Sequence, residues 1–182
     1  MDNTGDSTDR IINRCIEGDI KAQFILYKKY SRAMYNIAIR ILNNRMDTED
    51  ILQESFITAF GRLHELKSAK ALGSWLKRIV INNCISHVRK NRVFYEDIED
   101  YRFEDEKEEQ GIDDTIDPVI VHKAIKELPE GCRTILVLHA LENYMHREIA
   151  EMLDISISTS KTQYRRALII LNEKLKHKIY VN

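Results

Sequence analysis

His146-Arg147-Glu148-Ile149-Ala150-Glu151-Met152-Leu153-Asp154-Ile155-Ser156 runs into Ile157-Ser158-Thr159-Ser160-Lys161-Thr162-Gln163-Tyr164-Arg165-Arg166-Ala167. The first piece spaces Ile149, Ala150 and Leu153 for one face of a short helix. Ala150 is small enough to let a second helix approach closely. Asp154-Ile155-Ser156 reads as a tight turn with Ile155 as its apolar plug. The second piece repeats Ser160, Tyr164, Ala167, Leu168, Leu171 and Leu175 at helical spacing. That leaves Ser158, Lys161, Thr162 and Arg165 on the outward face. A helix, a tight turn and a helix with a small, polar and cationic face make a helix-turn-helix suited to a major groove and its phosphates. Taken alone, the same pattern also fits a solvated helix in an ordinary bundle.

The rest of the chain is helical too. Only 6 Gly and 2 Pro occur in 182 residues, and alternating β-branched runs are scarce, so the expected class is all-α. Thr8 can cap a first helix through Ile11, Ile12 and Cys15 that stops at Gly18. Asp19 can cap a second, with Ala22, Phe24, Tyr27, Tyr30, Met34, Ile37, Ala38 and Ile41 as its stripe, ended by Asn43-Asn44. Asp47 can cap a third, carrying Ile51, Leu52, Phe56, Ala59 and Phe60. Asp47, Glu49 and Asp50 crowd its first turn, where the helix dipole favours acids. Periodicity fails from His64 to Leu72, which reads as a polar and basic loop. A fourth helix follows from about Gly73 to Asn91, with Trp75, Leu76, Ile79, Val80, Ile85 and Val88 as its core face. Beyond Pro118, Val121, Ala124, Ile125 and Leu128 form another. Pro129 suits the first turn of the next, which carries Cys132, Ile135, Leu136, Leu138 and Leu141 and ends at Asn143.

Charge divides the chain in three. The net charge of −1 conceals +6 over residues 1–95, −10 over 96–117 and +3 over 118–182. Two basic blocks therefore flank an acidic segment, the pattern of a nucleic-acid binder rather than of a neutral enzyme. The acidic stretch 95–117 lacks the apolar content to offset its ordering entropy and reads as a flexible linker. It is either a solvated tether or a mimic of nucleic acid that shields the basic blocks.

Several classes are excluded. No window is apolar enough to span a bilayer, so no direct membrane insertion is expected. The polar, acidic start is not a secretory signal. Cys15, Cys84 and Cys132 are scattered and sit in apolar surroundings, as reduced thiols in a cytoplasmic protein would. No pair has zinc-ligand spacing, so no metal is expected. There is no glycine-rich phosphate loop or nucleophile motif, so neither a cofactor nor catalysis is expected.

Two further polar surfaces stand out. Asn82, Ser86, Arg89 and Lys90 share a face of the fourth helix at spacings of four, seven and eight. They fit base edges and phosphates, or a solvated surface. Asp50, Gln53 and Glu54 share the third helix, where ordinary surface is the simpler reading.

The order of these pieces resembles the extracytoplasmic-function sigma factors, the smallest members of the sigma-70 family of bacterial transcription initiation factors. The carrying stretches are Asp47-Thr48-Glu49-Asp50-Ile51-Leu52-Gln53-Glu54-Ser55-Phe56, then Trp75-Leu76-Lys77-Arg78-Ile79 with Asn82, and Leu128-Pro129-Glu130-Gly131 leading into the helix-turn-helix. The resemblance implies a region 2 domain over 1–94, an acidic linker over 95–117 and a region 4 helix-turn-helix domain over 118–182. It implies that Asp50, Gln53 and Glu54 dock on the β′ clamp helices of core RNA polymerase, with a second contact to the β flap. It implies that Trp75, Asn82, Ser86, Arg89 and Lys90, with the preceding loop, engage the −10 promoter element and help to open it. Such opening must be offset by a pocket for an extruded base and cationic contacts to single strand. It implies that Ser158, Thr159, Lys161, Thr162, Arg165 and Arg166 read the −35 element, and that an anti-sigma factor, commonly membrane-bound, controls the protein.

Departures from the family pattern are local. Asp154 stands where Gly is frequent, Ile157-Ser158 where Glu-Gly is frequent, and Ser86 where Asp is frequent. The stretch Ala167-Leu168-Ile169-Ile170 is less basic than usual. Two other readings remain at this stage: a dimeric helix-turn-helix repressor or activator binding operators alone, and a helical interaction protein with no DNA role.

Overall fold

The computed structural model describes residues 4–90 and 117–180, and the chain divides into two compact units, 1–90 and 91–182. All regular structure among the described residues is helical.

The N-terminal unit holds α1 (Thr4–Ile16), α2 (Ile20–Leu42), α3 (Arg45–Gly61) and α4 (Leu72–Lys90). Each boundary has a chemical cause. Gly18 takes φ +86, which only glycine adopts without strain, and lets the chain leave α1. Asp19 then caps α2, accepting the N–H groups of Lys21 at 2.8 Å and Ala22 at 3.3 Å. Arg14 grips the same carboxylate at 2.6 Å and holds it below the usual carboxylate range. Asn43 closes α2 in the left-handed region at φ 52.

Three expectations change here. Helix α1 begins at Thr4, so Thr8 lies inside it; the apolar spacing marked the buried face and not the start. Asn44, not Asp47, caps α3, its side-chain oxygen accepting from Met46 N at 2.9 Å and Asp47 N at 3.4 Å. Phe24 is exposed, because it lies two residues and about 200° round the helix from buried Ala22, whereas Leu26 follows Ala22 by four and is buried.

The core of this unit begins with Ile12, Cys15, Ala22, Leu26, Leu63 and Leu72, with Tyr30, Phe60 and Trp75 packed against it. Helices α2, α3 and α4 then pack pairwise through Met34, Ile41, Leu52, Phe56, Val80, Cys84 and others. The Tyr27 and Phe56 rings meet edge to face at 4.8 Å. Burial pushes the Cys84 thiol up to about 12. Two single 3₁₀ turns, Leu63–Glu65 and Ala69–Ala71, punctuate the segment read as a loop, and Leu63 anchors it by full burial.

The C-terminal unit holds α5 (Pro118–Lys126), α6 (Glu130–Leu136), α7 (His146–Leu153) and α8 (Ile157–Tyr180). Asp117 caps α5, accepting from Val119 N at 2.8 Å; the remainder of the expected linker 95–117 lies outside the described residues. Pro129 is the cap of α6, one residue before its expected place in the first turn. Arg133 is buried, and its guanidinium donates to the Leu128 carbonyl at 2.9 Å, pinning the α5–α6 corner. A π-helical turn over Val137–Leu141 extends α6. That wider turn shifts the register, so Leu141, expected in the core, is exposed. Helix α8 packs against α5, α6 and α7.

Candidate nucleic-acid and polymerase interfaces

The helix-turn-helix is built as its residues require. Asn143 at φ 61 turns the chain out of the π turn. The Glu148 carboxylate accepts the Met145 N–H at 2.7 Å and satisfies an orphan donor at the start of α7. Ile149, Ala150 and Leu153 are buried. Asp154 ends α7 at φ 58, the left-handed conformation that a frequent glycine would take, and Ile155 N returns to the Ala150 carbonyl at 3.0 Å. Ser156 then starts α8: its Oγ accepts the Thr159 N–H at 2.9 Å and lies 2.8 Å from Thr159 Oγ1.

On α8, Ser160, Ala167, Leu171 and Leu175 are buried, and Tyr164 and Leu168 half-buried. Ser158, Lys161, Thr162 and Arg165 are exposed and share one face by spacings of three, four and seven. Thr159 and Arg166 are half-buried at its border. Arg166 lies close enough to Cys132 on α6 for its charge to lower that thiol's pKa, though burial still leaves it raised. Cys132 Sγ donates to Gln163 Oε1 at 3.0 Å, fixing α8 against α6.

A cluster behind this face had no signature in the sequence. His139 in the π turn stacks on His146 with ring centroids 4.1 Å apart, and Tyr164 meets both rings edge-on at 4.7 and 5.5 Å. His146 Nδ1 lies 3.0 Å from Ser160 Oγ, and His139 Nδ1 lies 2.8 Å from the Tyr144 carbonyl oxygen. Desolvation, then His139, then Lys161 push the His146 pKa down. The His146–Ser160 contact spans fourteen residues and a turn and follows no nucleophile motif. Ser160 is fully buried, so the pair ties α7 to α8 and is closed to a substrate.

In the N-terminal unit, Asp50, Gln53 and Glu54 are all exposed on α3, with Met46 and Ile57 exposed on the same side at 70% and 74%. Behind them, buried Ser55 donates to the Ile51 carbonyl at 2.6 Å and accepts from Asn83 Nδ2 at 3.0 Å, locking α3 to α4. His87 lies 3.4 Å from Asp47 across the same pair of helices. Asn83 faces inward, so its neighbour Asn82 is turned out. Asn82, Ser86, Arg89 and Lys90 are exposed together. Trp75 lies seven residues before Asn82, half-buried and packed on the core cluster. Gly73, one residue into α4, meets Tyr30 Cε1 3.4 Å from where a Cβ would stand.

Two helical units, the second closing in a helix-turn-helix with a polar, cationic second helix, define a DNA-binding factor of modular build. Comparison with known proteins makes the class specific. The family description "Sigma-70 region 2" matches residues 26–93, and "Sigma-70, region 4" matches 119–171. The RNA polymerase sigma-H factor of Pseudomonas aeruginosa is 28% identical, over 94% of this chain and 95% of that protein. The ECF RNA polymerase sigma factor SigW of Bacillus subtilis is 29% identical, over 91% and 95%. In fold, the chain is similar to the sigma factor RpoE in its co-crystal structure with the anti-sigma factor NepR from Bartonella quintana. That likeness has a TM-score of 0.51 at 22% identity, over 86% of this chain and 98% of that one. The chain belongs to the sigma-70 family of transcription initiation factors, as a member of the extracytoplasmic-function type. Its function is that of the family: a non-catalytic subunit that directs core RNA polymerase to particular promoters and assists their opening.

Proposed function

We propose that the exposed side of α3 is the polymerase contact, with Asp50, Gln53 and Glu54 docking on the β′ clamp helices. The support is their joint exposure on a helix held rigidly from behind by the Ser55–Asn83 bond. The 1–94 domain then engages the −10 element through the segment before α4 and through Trp75, Asn82, Ser86, Arg89 and Lys90. The cations meet phosphate, Asn82 and Ser86 meet base edges, and the half-buried Trp75 supplies an aromatic surface for stacking.

The 118–182 domain reads the −35 element, and the β flap contacts it. Lys161, Thr162 and Arg165 enter the major groove; Ser158 and Thr159 meet phosphate where backbone N–H groups and the helix dipole favour an anion. Arg166 supports the rim from its half-buried place. Segment 95–117 tethers the two. The protein works in the cytoplasm under an anti-sigma factor, a reading supported by the partner in the Bartonella quintana complex.

The single observation that carries this reading is that the three contact sets lie on separate helices of two independently cored units with most of their members exposed, Trp75, Thr159 and Arg166 being half-buried. The test is binding of labelled chain to purified core polymerase. Asp50→Ala with Glu54→Ala should weaken it roughly tenfold or more. The same variant should keep its affinity for −35 duplex, and Lys161→Ala with Arg165→Ala should show the converse, with a salt slope lower by about 2. Undiminished core binding by the α3 variant removes the docking assignment.

A further inference from the structure

The outward face of α2 has no part in the assignments above. Ile20 is 78% exposed, Phe24 57% and Ile25 44%. Lys21, Lys28, Lys29 and Arg32 are exposed beside them. Spacings of four join Ile20, Phe24 and Lys28 into one stripe; Lys21, Ile25 and Arg32 form a second next to it. Lys28 Nζ lies 5.4 Å from the centre of the Phe24 ring. Between residues 20 and 46 there is no Asp or Glu. The acid at the head of the helix, Asp19, is already bound by Arg14 and by two backbone N–H groups. The face thus carries Ile20 and Phe24 along one edge, Lys28, Lys21 and Arg32 in a row beside them and Ile25 beyond that row, and the helix has no carboxylates of its own. Single exposed apolar residues need no explanation, but Ile20 and Phe24 adjoin one turn apart beside an unbroken row of cations, and that pairing marks a contact surface.

We propose that this face docks an acidic amphipathic helix of a protein partner. A helix laid along α2 would set its apolar side chains on Ile20 and Phe24, one turn apart as in helix recognition. Its flanking carboxylates would meet Lys21, Lys28 and Arg32. Nucleic acid fits less well: it would use the cations, but Ile20 and Ile25 offer neither a stacking face nor a hydrogen bond. A second copy of the chain would bring like charge against like charge. The inference stands apart from the polymerase and promoter assignments, because none of their residues lies on α2.

The test uses the full chain and a synthetic helical peptide of about 18 residues, leucines on one side and glutamates on the flanks. Fluorescence anisotropy should show saturable binding. Ile20→Ser with Phe24→Ser, and separately Lys21→Glu with Lys28→Glu, should each weaken it about tenfold or more. A matched peptide with lysine for glutamate should not bind. The substituted residues are exposed, so melting temperatures should stay at the parent value; single Ile20→Ser serves if a double variant melts early. Run-off transcription by these variants should equal that of the parent, so failure of the parent to initiate counts against the sigma assignments and not against this surface. Absence of saturable binding, or binding indifferent to both substitutions, overturns the proposal. It is equally overturned if these residues govern binding of single-stranded DNA, of anionic vesicles, or of a synthetic peptide of residues 95–117 in preference to the acidic helix.

Discussion

Ser156 sets the direction in which α8 leaves the turn, and two substitutions there separate stability from recognition. Its Oγ accepts the Thr159 N–H at 2.9 Å. Ser156→Ala removes that acceptor, leaving the N–H to water. Loss of such a cap costs about 1 kcal/mol, roughly fivefold in the folded-to-unfolded ratio. For a domain of this size the melting temperature of the C-terminal unit should drop by about 4–8 °C. Affinity for a −35 duplex, measured below that transition, should stay within about threefold, since the hydroxyl contributes little charge to a phosphate. Ser156→Asp restores the acceptor and places a carboxylate where the dipole favours it, so the melting temperature should return to the parent value or above. The same carboxylate would face phosphate if the start of α8 lies on the backbone, and affinity should fall about tenfold, more steeply at low salt. Calorimetry and fluorescence anisotropy over a salt series read both quantities. An alanine variant that melts with the parent refutes the capping argument. An aspartate variant that binds like the parent refutes the placement of α8's N-terminus on phosphate.

Three further outcomes follow from the geometry. The charged form of His146 is disfavoured by desolvation, by stacked His139 and by Lys161, so its folded pKa lies below the ordinary 6.5. The unfolded chain then binds the proton more tightly; the stabilisation is present above about pH 6.5 and is lost as pH falls through the folded pKa. Melts of the C-terminal unit between pH 7.5 and 5 should show a drop that His146→Gln reduces, and identical pH profiles would contradict this. Ile149 is fully buried on α7, so Ile149→Ala should cost about 2–5 kcal/mol. NMR amide signals of 117–180 should broaden or collapse while those of 4–90 keep their positions; an intact helix-turn-helix would contradict the packing described. Asp50→Ala with Glu54→Ala, exposed and unpaired with any core group, should leave both melting transitions within about 0.5 kcal/mol of the parent while core binding falls. A large loss of stability would mean that α3 needs those acids for its fold.

The sequence was legible wherever one residue's chemistry suffices. Gly18 and Asp19 punctuate α1 and α2 as read, because a left-handed stop and a side-chain cap are local events. Asp154 and Asn143 take the positive φ that their side chains tolerate. The helical spacing of α8 sorted Ser160, Ala167 and Leu171 inward and Lys161, Thr162 and Arg165 outward. Choices between neighbours were less legible: Asn44 and Asp47 are both good caps, and only the dihedral of Asn44 decides between them. Phe24 was drawn into the stripe by its size, although its angle put it outside. Leu141 obeyed α-helical spacing until the π turn shifted it. The His139–His146–Tyr164 cluster was out of reach because it depends on three elements converging, and no spacing along the chain encodes that. Thr159 and Arg166 illustrate the same limit at the −35 face: α8 packs on α5, α6 and α7, so its outward face is narrower than a free helix would offer.

Run-off transcription tests the central claim most directly. It requires purified bacterial core polymerase, this chain, and promoter fragments from the source genome. Discrete transcripts should appear only when core and chain are both present, vanish with Asp50→Ala and Glu54→Ala, and weaken with Lys161→Ala and Arg165→Ala. Tight duplex binding by the chain alone as a dimer, with no initiation at those same fragments, would contradict the account and favour an operator-binding regulator.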